Sequence, residues 1–351
     1  MNNNSSSTNT AEAIERGLKF LERNQLPSGE FKIYSSADLT LEKDCKYDTS
    51  PFPTATISYC LKFSDSPLAK AMIKRALRFL LATMEREPVW KYCSPHHSWQ
   101  RNMPPDVDDT AVASLVLKQN GIELPDNRGI ILANRNRQGL FYTWMFPRFA
   151  LSLNKSYWKV ILRFAVKPIC LYHFRNHCLP NDIDCTINAN VLFYLGETKA
   201  TKPVTEYLIQ IIEQEKEDCC SVWYLNRFTF YYAISRNYFA GIQAFEVVRE
   251  TVVARILQAA KVDGMIGENV LETALAICAL INWRCERPTF EKSIQFLLKA
   301  QREAGDWQRM PFYFYYDDPA NHLVWGSVAW GSEELTTGFC LEALTRYFTK
   351  S

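Results

Sequence analysis

Glycine is scarce in this chain, with 13 in 351 residues. Many prolines sit at segment edges, and together these features suit long helices joined by ordered loops. No stretch approaches 18 uninterrupted apolar residues, so the sequence predicts no membrane-spanning helix. Residues 1–10 are rich in Asn, Ser and Thr and lack the apolar core of a signal peptide, so they are expected to be a disordered tail. Charge of one sign is not in excess: the formal net charge is +2, which implies no nucleic-acid or polyanion partner. Glycine-rich phosphate loops and nucleophile elbows are absent. No stretch alternates convincingly as a strand; Phe312–Asp318 comes nearest and reads as an aromatic-rich loop. The 11 cysteines are an odd, dispersed set, several of them within apolar helical runs (Cys60, Cys278, Cys340), and they read as reduced thiols of a cytoplasmic protein.

What the chain does have is centred on Pro104-Pro105-Asp106-Val107-Asp108-Asp109-Thr110-Ala111, followed by an apolar run without a breaker. This is a helix start, with Asp106 as N-cap and Asp108 and Asp109 in the first turn. Acidic residues there satisfy free N–H groups and suit the helix dipole. The same three carboxylates, crowded together, cannot all ionise cheaply, so one that keeps its proton and faces an apolar cavity is a general acid. Both readings fit the sequence.

Two further patterns recur. Arg16…Phe20-Leu21…Gln25…Gly29-Glu30-Phe31 matches Lys292…Phe296-Leu297…Gln301…Gly305-Asp306-Trp307 at identical offsets, and Arg75–Leu81 with Met84 is a degraded third copy. The aromatic and Leu belong to the packed face of a helix. The Gln amide is expected to bond backbone at the end of a neighbouring helix, and the Gly to permit the turn that brings the Phe or Trp back. A second element, Asn181-Asp182-Ile183-Asp184-Cys185-Thr186, echoes Pro105–Thr110, with weaker echoes at Ser50–Thr56, Glu268–Ala274 and Ser332–Gly338. Each precedes an apolar helix, and polar amphipathic segments lie between (Pro67–Met84, Lys155–Val166, Val204–Lys216). The alternation predicts an all-α fold. Residues 11–351 form one α/α barrel of helical hairpins, with the apolar helices as the inner wall and their N-termini converging on one rim.

The paired Gln–Trp repeats and the Asp-Val-Asp-Asp-Thr-Ala element resemble those of the squalene-hopene and oxidosqualene cyclases, the class II terpene cyclases. The likeness spans nearly the whole chain, with Phe31 in place of a Trp and Ser293 in place of a Gly. Those enzymes carry two α/α domains and this chain has length for one, as in the monodomain class II cyclases of meroterpenoid biosynthesis. The resemblance implies proton-initiated, metal-independent cyclisation of a prenylated (geranylgeranyl-type) hydroxybenzoate, with no cofactor. Its pattern places the acid at Asp108; helical phase keeps Asp109 a near-equal candidate, with Asp106 as the third member.

A carbocation needs a dry wall of aromatic faces, each contributing roughly 0.5–2 kcal/mol. The candidates are Trp99, Trp144, Phe146, Trp223, Tyr224, Phe228, Tyr231, Tyr232, Phe312, Tyr313, Trp325 and Trp330, any of which also fits core packing. His96-His97 precedes the acidic element and reads as loop histidines or as hydrogen-bonding partners of it. No metal site is predicted. Cys170, His173, His177 and Cys178 match no standard zinc spacing, and Asp108-Asp109-Thr110-Ala111-Val112 lacks the last Asp of a magnesium motif. Asp218-Cys219-Cys220 with His322 fits the zinc set of protein prenyltransferases by spacing alone. The rivals to a cyclase are therefore a zinc-dependent prenyltransferase and a non-catalytic isoprenoid-binding protein on the same fold. The expected partner is a lipophilic prenylated small molecule, which partitions into membranes and implies peripheral membrane contact.

Overall fold

The computed structural model describes residues 2–95, 97, 100, 103–148, 153–165, 181–224, 226–315 and 327–349, with backbone alone for 2–8 and 165. In chain order the elements are α1 (Asn2–Asn24), β1 (Ile33–Ser36), β2 (Lys46–Asp48), α2 (Pro51–Leu61), α3 (Pro67–Thr83), α4 (Val107–Gln119), α5 (Arg128–Ala133) and α6 (Lys155–Val160). They continue with α7 (Cys185–Leu195), α8 (Lys202–Glu213), α9 (Arg227–Phe239), α10 (Glu246–Gln258), α11 (Val270–Asn282), α12 (Glu291–Ala300), β3 (Met310–Tyr315), β4 (Val328–Ser332) and α13 (Glu333–Thr349).

Helices α2, α4, α7, α9, α11 and α13 each pack on the next, and α13 packs on α2, which closes a ring. They are buried almost all round, as an inner wall must be. Outside them lie amphipathic helices with one buried stripe: α1 and α3 against α13 and α2, α8 against α7, α10 against α9, and α12 between α11 and α13. The architecture is the α/α barrel that the alternation of apolar and polar-faced helices predicts.

One local device repeats around the ring. A tight turn leads from an outer helix toward an inner one, and the N–H of the residue ending the turn donates to a side chain in the first turns of the inner helix. Phe31 donates to Thr54 Oγ1 (2.9 Å), Trp90 to Thr110 Oγ1 (3.1 Å) and Phe141 to Asn188 Oδ1 (2.8 Å). Ile266 and Trp307 donate to Thr273 and Thr337 in the same way, at 3.0 and 3.2 Å. The degraded third copy is thus completed by Trp90, whose indole donates to Leu80 O as that of Trp307 does to Leu297 O, both at 2.8 Å.

The repeated glutamines are bonded to backbone as the sequence predicts, but at carbonyls within the neighbouring outer helix. Gln25 Nε2 reaches Met72 O at 3.0 Å and Gln301 Nε2 reaches Ala13 O at 2.9 Å. Each Gln oxygen takes an arginine from the next copy, Arg75 onto Gln25 and Arg16 onto Gln301, so the copies are linked along the outer wall. Gly305 (φ 95°) has no substitute here: a Cβ would stand 2.5 Å from Arg16 O.

Four sequence expectations change. Met310–Tyr315, which overlaps the expected loop, is β3 of an antiparallel sheet ordered β2-β1-β4-β3. Its residues pair too far along the chain, with 328–332, for a local alternation signal to reveal them. The start of α1 at Asn2 places helix in the stretch expected to be a tail; Ser, Thr and Asn weaken a helix without forbidding it. Cys185 and Cys220 are joined in a disulfide, so the cysteines are not uniformly reduced; 35 residues separate the two. Finally, the echo between the two acidic elements is shifted by two. The N-cap equivalent to Asp106 is Asp184, whose Oδ1 accepts from Ile187 N (3.0 Å) just as Asp106 Oδ1 accepts from Asp109 N (2.8 Å).

Candidate active site

The N-cap role of Asp106 fixes the geometry around it. Its backbone is clamped between two loops, with its N–H on Trp90 O at 3.3 Å and the next N–H, of Val107, on Thr143 O at 2.9 Å. With one oxygen capping the helix, Asp108 and Asp109 follow in the first turn, buried to 5% residual exposure. Position two of the other inner helices holds Phe52 in α2, Thr186 in α7, Phe228 in α9, Leu271 in α11 and Glu334 in α13, so a pair of Asp here is particular to α4.

All three carboxyls line one cavity of about 320 Å³. The helical wall contributes them together with Phe52 and Ile187, and the loop after α8 contributes Trp223 and Tyr224. The sheet supplies the opposite wall through Ser35, Asp48, Tyr313, Tyr315, Val328 and Trp330, and loops supply Tyr92, Cys93, His97, Met103, Thr143 and Trp144. The aromatic faces meet edge to face or stacked: Trp144 on Trp223 (5.8 Å between ring centres), Tyr92 on Tyr313 (5.9 Å), and Tyr313 stacked on Trp330 (5.6 Å).

The three carboxyls are held differently. Asp108 Oδ1 accepts from Asn190 Nδ2 at 2.8 Å and Oδ2 from Tyr224 O–H at 2.6 Å. Burial pushes its pKa up to about 6, against the pull of these two donors. Asp106 is pushed up to about 7, again chiefly by burial. Asp109 rises well above the carboxylate range, through burial and then through the charge of Asp106, with which it shares a side-chain hydrogen bond. The Asp106–Asp109 pair therefore holds a proton near neutral pH, and Asp108 is the most acidic of the three.

On the sheet wall a second buried carboxylate collects donors. Asp48 Oδ2 accepts from Trp330 Nε1 (2.9 Å) and Tyr92 O–H (3.2 Å), and Oδ1 stands 2.9 Å from His97 Nε2. His97, which lines the same cavity as the acidic element, thus pairs with Asp48. Asp182 is likewise buried, pushed by burial to about 7, and accepts from the indole of Trp223 at 2.9 Å.

Of the aromatic candidates, Trp144, Trp223, Tyr224, Tyr313 and Trp330 line the cavity. Phe146 packs behind Trp144 with Met103. Tyr232 and Phe312 line a smaller void beneath the cavity, shared with Asn190 and Arg236. Phe228 and Tyr231 pack on each other, and the Tyr231 hydroxyl donates to Glu217 at 3.1 Å, away from either space. Helical phase separates these from the wall, since inner-helix residues alternate between the axis and the outer layer. Trp99, Trp325, His96, Cys170, His173, His177, Cys178 and His322 lie outside the described residues. Sequence reasoning missed Asp48, Tyr92, Asn190 and Arg236, which join the site only through tertiary structure. Among the described residues no cluster of three or more His, Cys, Asp or Glu is arranged to hold a metal ion. Cys220 of the Asp-x-Cys pair is bonded to Cys185, and Asp218 pairs with Arg227 at 2.7 Å.

No protein-family model matches the chain, and no curated protein sequence matches it. Solved structures do. A variant of the type II terpene cyclase MstE from Scytonema, in complex with its substrate geranylgeranyl dihydroxybenzoate, superposes with a TM-score of 0.72 at 13% identity, over 98% of this chain and 99% of its own. The chain shares the fold of these cyclases. A second MstE variant, in complex with the product merosterolic acid A, gives a TM-score of 0.73 at 14% identity, over 99% of this chain and 100% of its own. A protein from Actinoplanes gives 0.72 at 16% identity, over 96% of this chain and 99% of its own. Among the described residues no helix is long and apolar enough to cross a membrane.

Proposed function

We propose that the protein is a class II terpene cyclase, which folds and cyclises a prenylated aromatic of the geranylgeranyl hydroxybenzoate kind. The observation that carries this reading is the first turn of α4, where three buried carboxyls face a cavity walled by aromatic rings. The shared fold with MstE supports it. In this reading Asp108 is the acid. Its proton passes to the terminal alkene carbon of the prenyl chain, leaving a tertiary cation on the neighbouring carbon. The π-bonds along the chain attack in turn, each forming a C–C bond and moving the cation onward. Loss of a C–H proton restores an alkene, so that the reaction is an isomerisation. Tyr224 and Asn190 stabilise the anion left on Asp108 by two hydrogen bonds. The proton-holding Asp106–Asp109 pair keeps charge near that anion low. Trp144, Trp223, Tyr313 and Trp330 offer cation-stabilising faces without a nucleophile.

The test is incubation with geranylgeranyl dihydroxybenzoate and EDTA in deuterated water, followed by mass spectrometry. A cyclised product carrying one deuterium is expected. Unchanged substrate, for this and for other prenylated phenols, would refute the reading and favour an isoprenoid-binding role.

A further inference from the structure

The void beneath the cavity contains a buried cation. Arg236, on α9, is 8% exposed, and its guanidinium lies over the rings of Tyr59, Phe193 and Tyr232 at 5.3, 4.9 and 4.5 Å. Its Nη2 donates to Asn190 Oδ1 at 2.5 Å, and Asn190 Nδ2 donates to Asp108 Oδ1. A chain of two hydrogen bonds therefore joins a permanent cation to the cavity acid.

That chain has a direction which chemistry imposes. A guanidinium has donors and no acceptor, so the Asn190 atom it touches has to be the oxygen. The other amide atom is then the NH₂, which can only donate, so Asp108 Oδ1 has to accept. The Tyr224 hydroxyl on Oδ2 can turn from donor to acceptor whereas the Asn190 NH₂ on Oδ1 cannot, so a proton on Asp108 is favoured on Oδ2. With an uncharged residue that both donates and accepts in place of Arg236, the amide could turn over, and Oδ1 would become a second seat for the proton. We infer that Arg236 is a positioning residue for the acid: acting through Asn190, it fixes which oxygen of Asp108 carries the proton and eases the proton's departure. The direction of the field agrees. Asp184 at the start of α7 disfavours a negative Asp108 and Arg236 is the cation that favours it, while a negative Asp108 in turn pushes up Asp106 and Asp109 on α4. On the far side of Arg236, Glu342 draws part of that charge and is itself paired with Arg346 at 2.9 Å.

The kinetic arm of the test rests on the cyclase reading and the spectroscopic arm does not. Infrared spectroscopy of the whole protein, without substrate, locates the protonated Asp108 carboxyl as the band that Asp108→Asn removes. In Arg236→Gln the pH midpoint of that band is expected to rise by about one pH unit, and in Arg236→Lys, which keeps the charge, by less. In turnover, kcat of Arg236→Gln is expected to fall about tenfold or more with KM within about threefold, its alkaline limb moving up with the infrared midpoint. A purely structural Arg236 would lower activity without moving the midpoint. An unmoved or lowered midpoint in a folded variant overturns the inference. Should Arg236→Gln fail to fold, Arg236→Met, which removes the charge and leaves Asn190 in place, is judged on the same terms. A moved midpoint without turnover of any prenylated phenol would leave the positioning role standing and remove the cyclase reading; turnover with an unmoved midpoint would do the reverse.

Discussion

Replacing Asp108 by Asn tests whether the site is maintained at the expense of stability. Burial raises the Asp108 pKa from an ordinary 3.8 to about 6. A carboxyl raised in this way favours folding only while protonated. Below about pH 3.8 folded and unfolded chains bind the proton alike; as pH rises from about 3.8 to 6 the unfolded chain is ionised while the folded one keeps its proton, and stability is lost. Each pH unit of separation is worth about 1.36 kcal/mol, so the cost is about 3 kcal/mol above pH 7 and about half that at pH 5. The amide of the Asp108→Asn variant cannot ionise and escapes this cost, while its carbonyl still accepts from Asn190. With an unfolding entropy of about 2.1 cal/mol/K per residue over 351 residues, 3 kcal/mol corresponds to about 4 °C. Calorimetry should therefore find Asp108→Asn about 4 °C more stable than the natural chain at pH 8 and about 2 °C more stable at pH 5. Turnover by the same variant should fall at least about 10³-fold. A melting difference that is the same at both pH values, or one that reverses sign at pH 8, would refute the account of Asp108 as an acid strained by its surroundings.

Gly305→Ala should cost about 2 kcal/mol or more in chemical denaturation, because its Cβ meets Arg16 O at 2.5 Å and φ is 95°. Trp307→Ala, which empties a fully buried site and frees Leu297 O, should cost about 3–5 kcal/mol by the same assay. Trp330→Leu, which removes a face stacked on Tyr313 and a donor to Asp48, should release partly cyclised products detectable by chromatography, with binding little changed. Turnover should persist in EDTA; its loss on chelation and return with zinc would revive the prenyltransferase alternative.

How far the sequence carried depended on whether a signal was local. The ring was legible because five of its six inner helices announce themselves within a few residues, by a polar start followed by an apolar run, and because the turn from outer to inner helix recurs at fixed offsets in three copies; α9 was not singled out. Asp106, Asp108 and Asp109 were legible for the same reason. The partners that decide their protonation were not. Asn190 and Tyr224 come from α7 and from the loop before α9, and no spacing rule connects them to α4. Asp48 drew no reading from the sequence, and it joins the site because the sheet places it among Tyr92, His97 and Trp330. The aromatic candidates failed where helical phase was undetermined: Phe228, Tyr231 and Tyr232 share one helix, and only one of them reaches even the smaller void. The shifted echo at Asp182–Asp184 shows that short acidic patterns align on letters, whereas the structure aligns them on the cap.

The ring is closed by its last-made member. Helix α13 is the piece that joins α11 to α2, and it follows α4 by more than half the chain. At 5–20 residues per second, roughly ten to fifty seconds separate the synthesis of the two helices. During that interval the ring around α4 is open, and the burial that raises its three carboxyls is incomplete. Burial on closure raises the three carboxyls, and a carboxyl so raised takes up a proton that it would otherwise have lost near neutral pH. On the cyclase proposal, the acid is therefore completed only when the ring closes, and a chain without its last helix is not yet equipped to protonate an alkene.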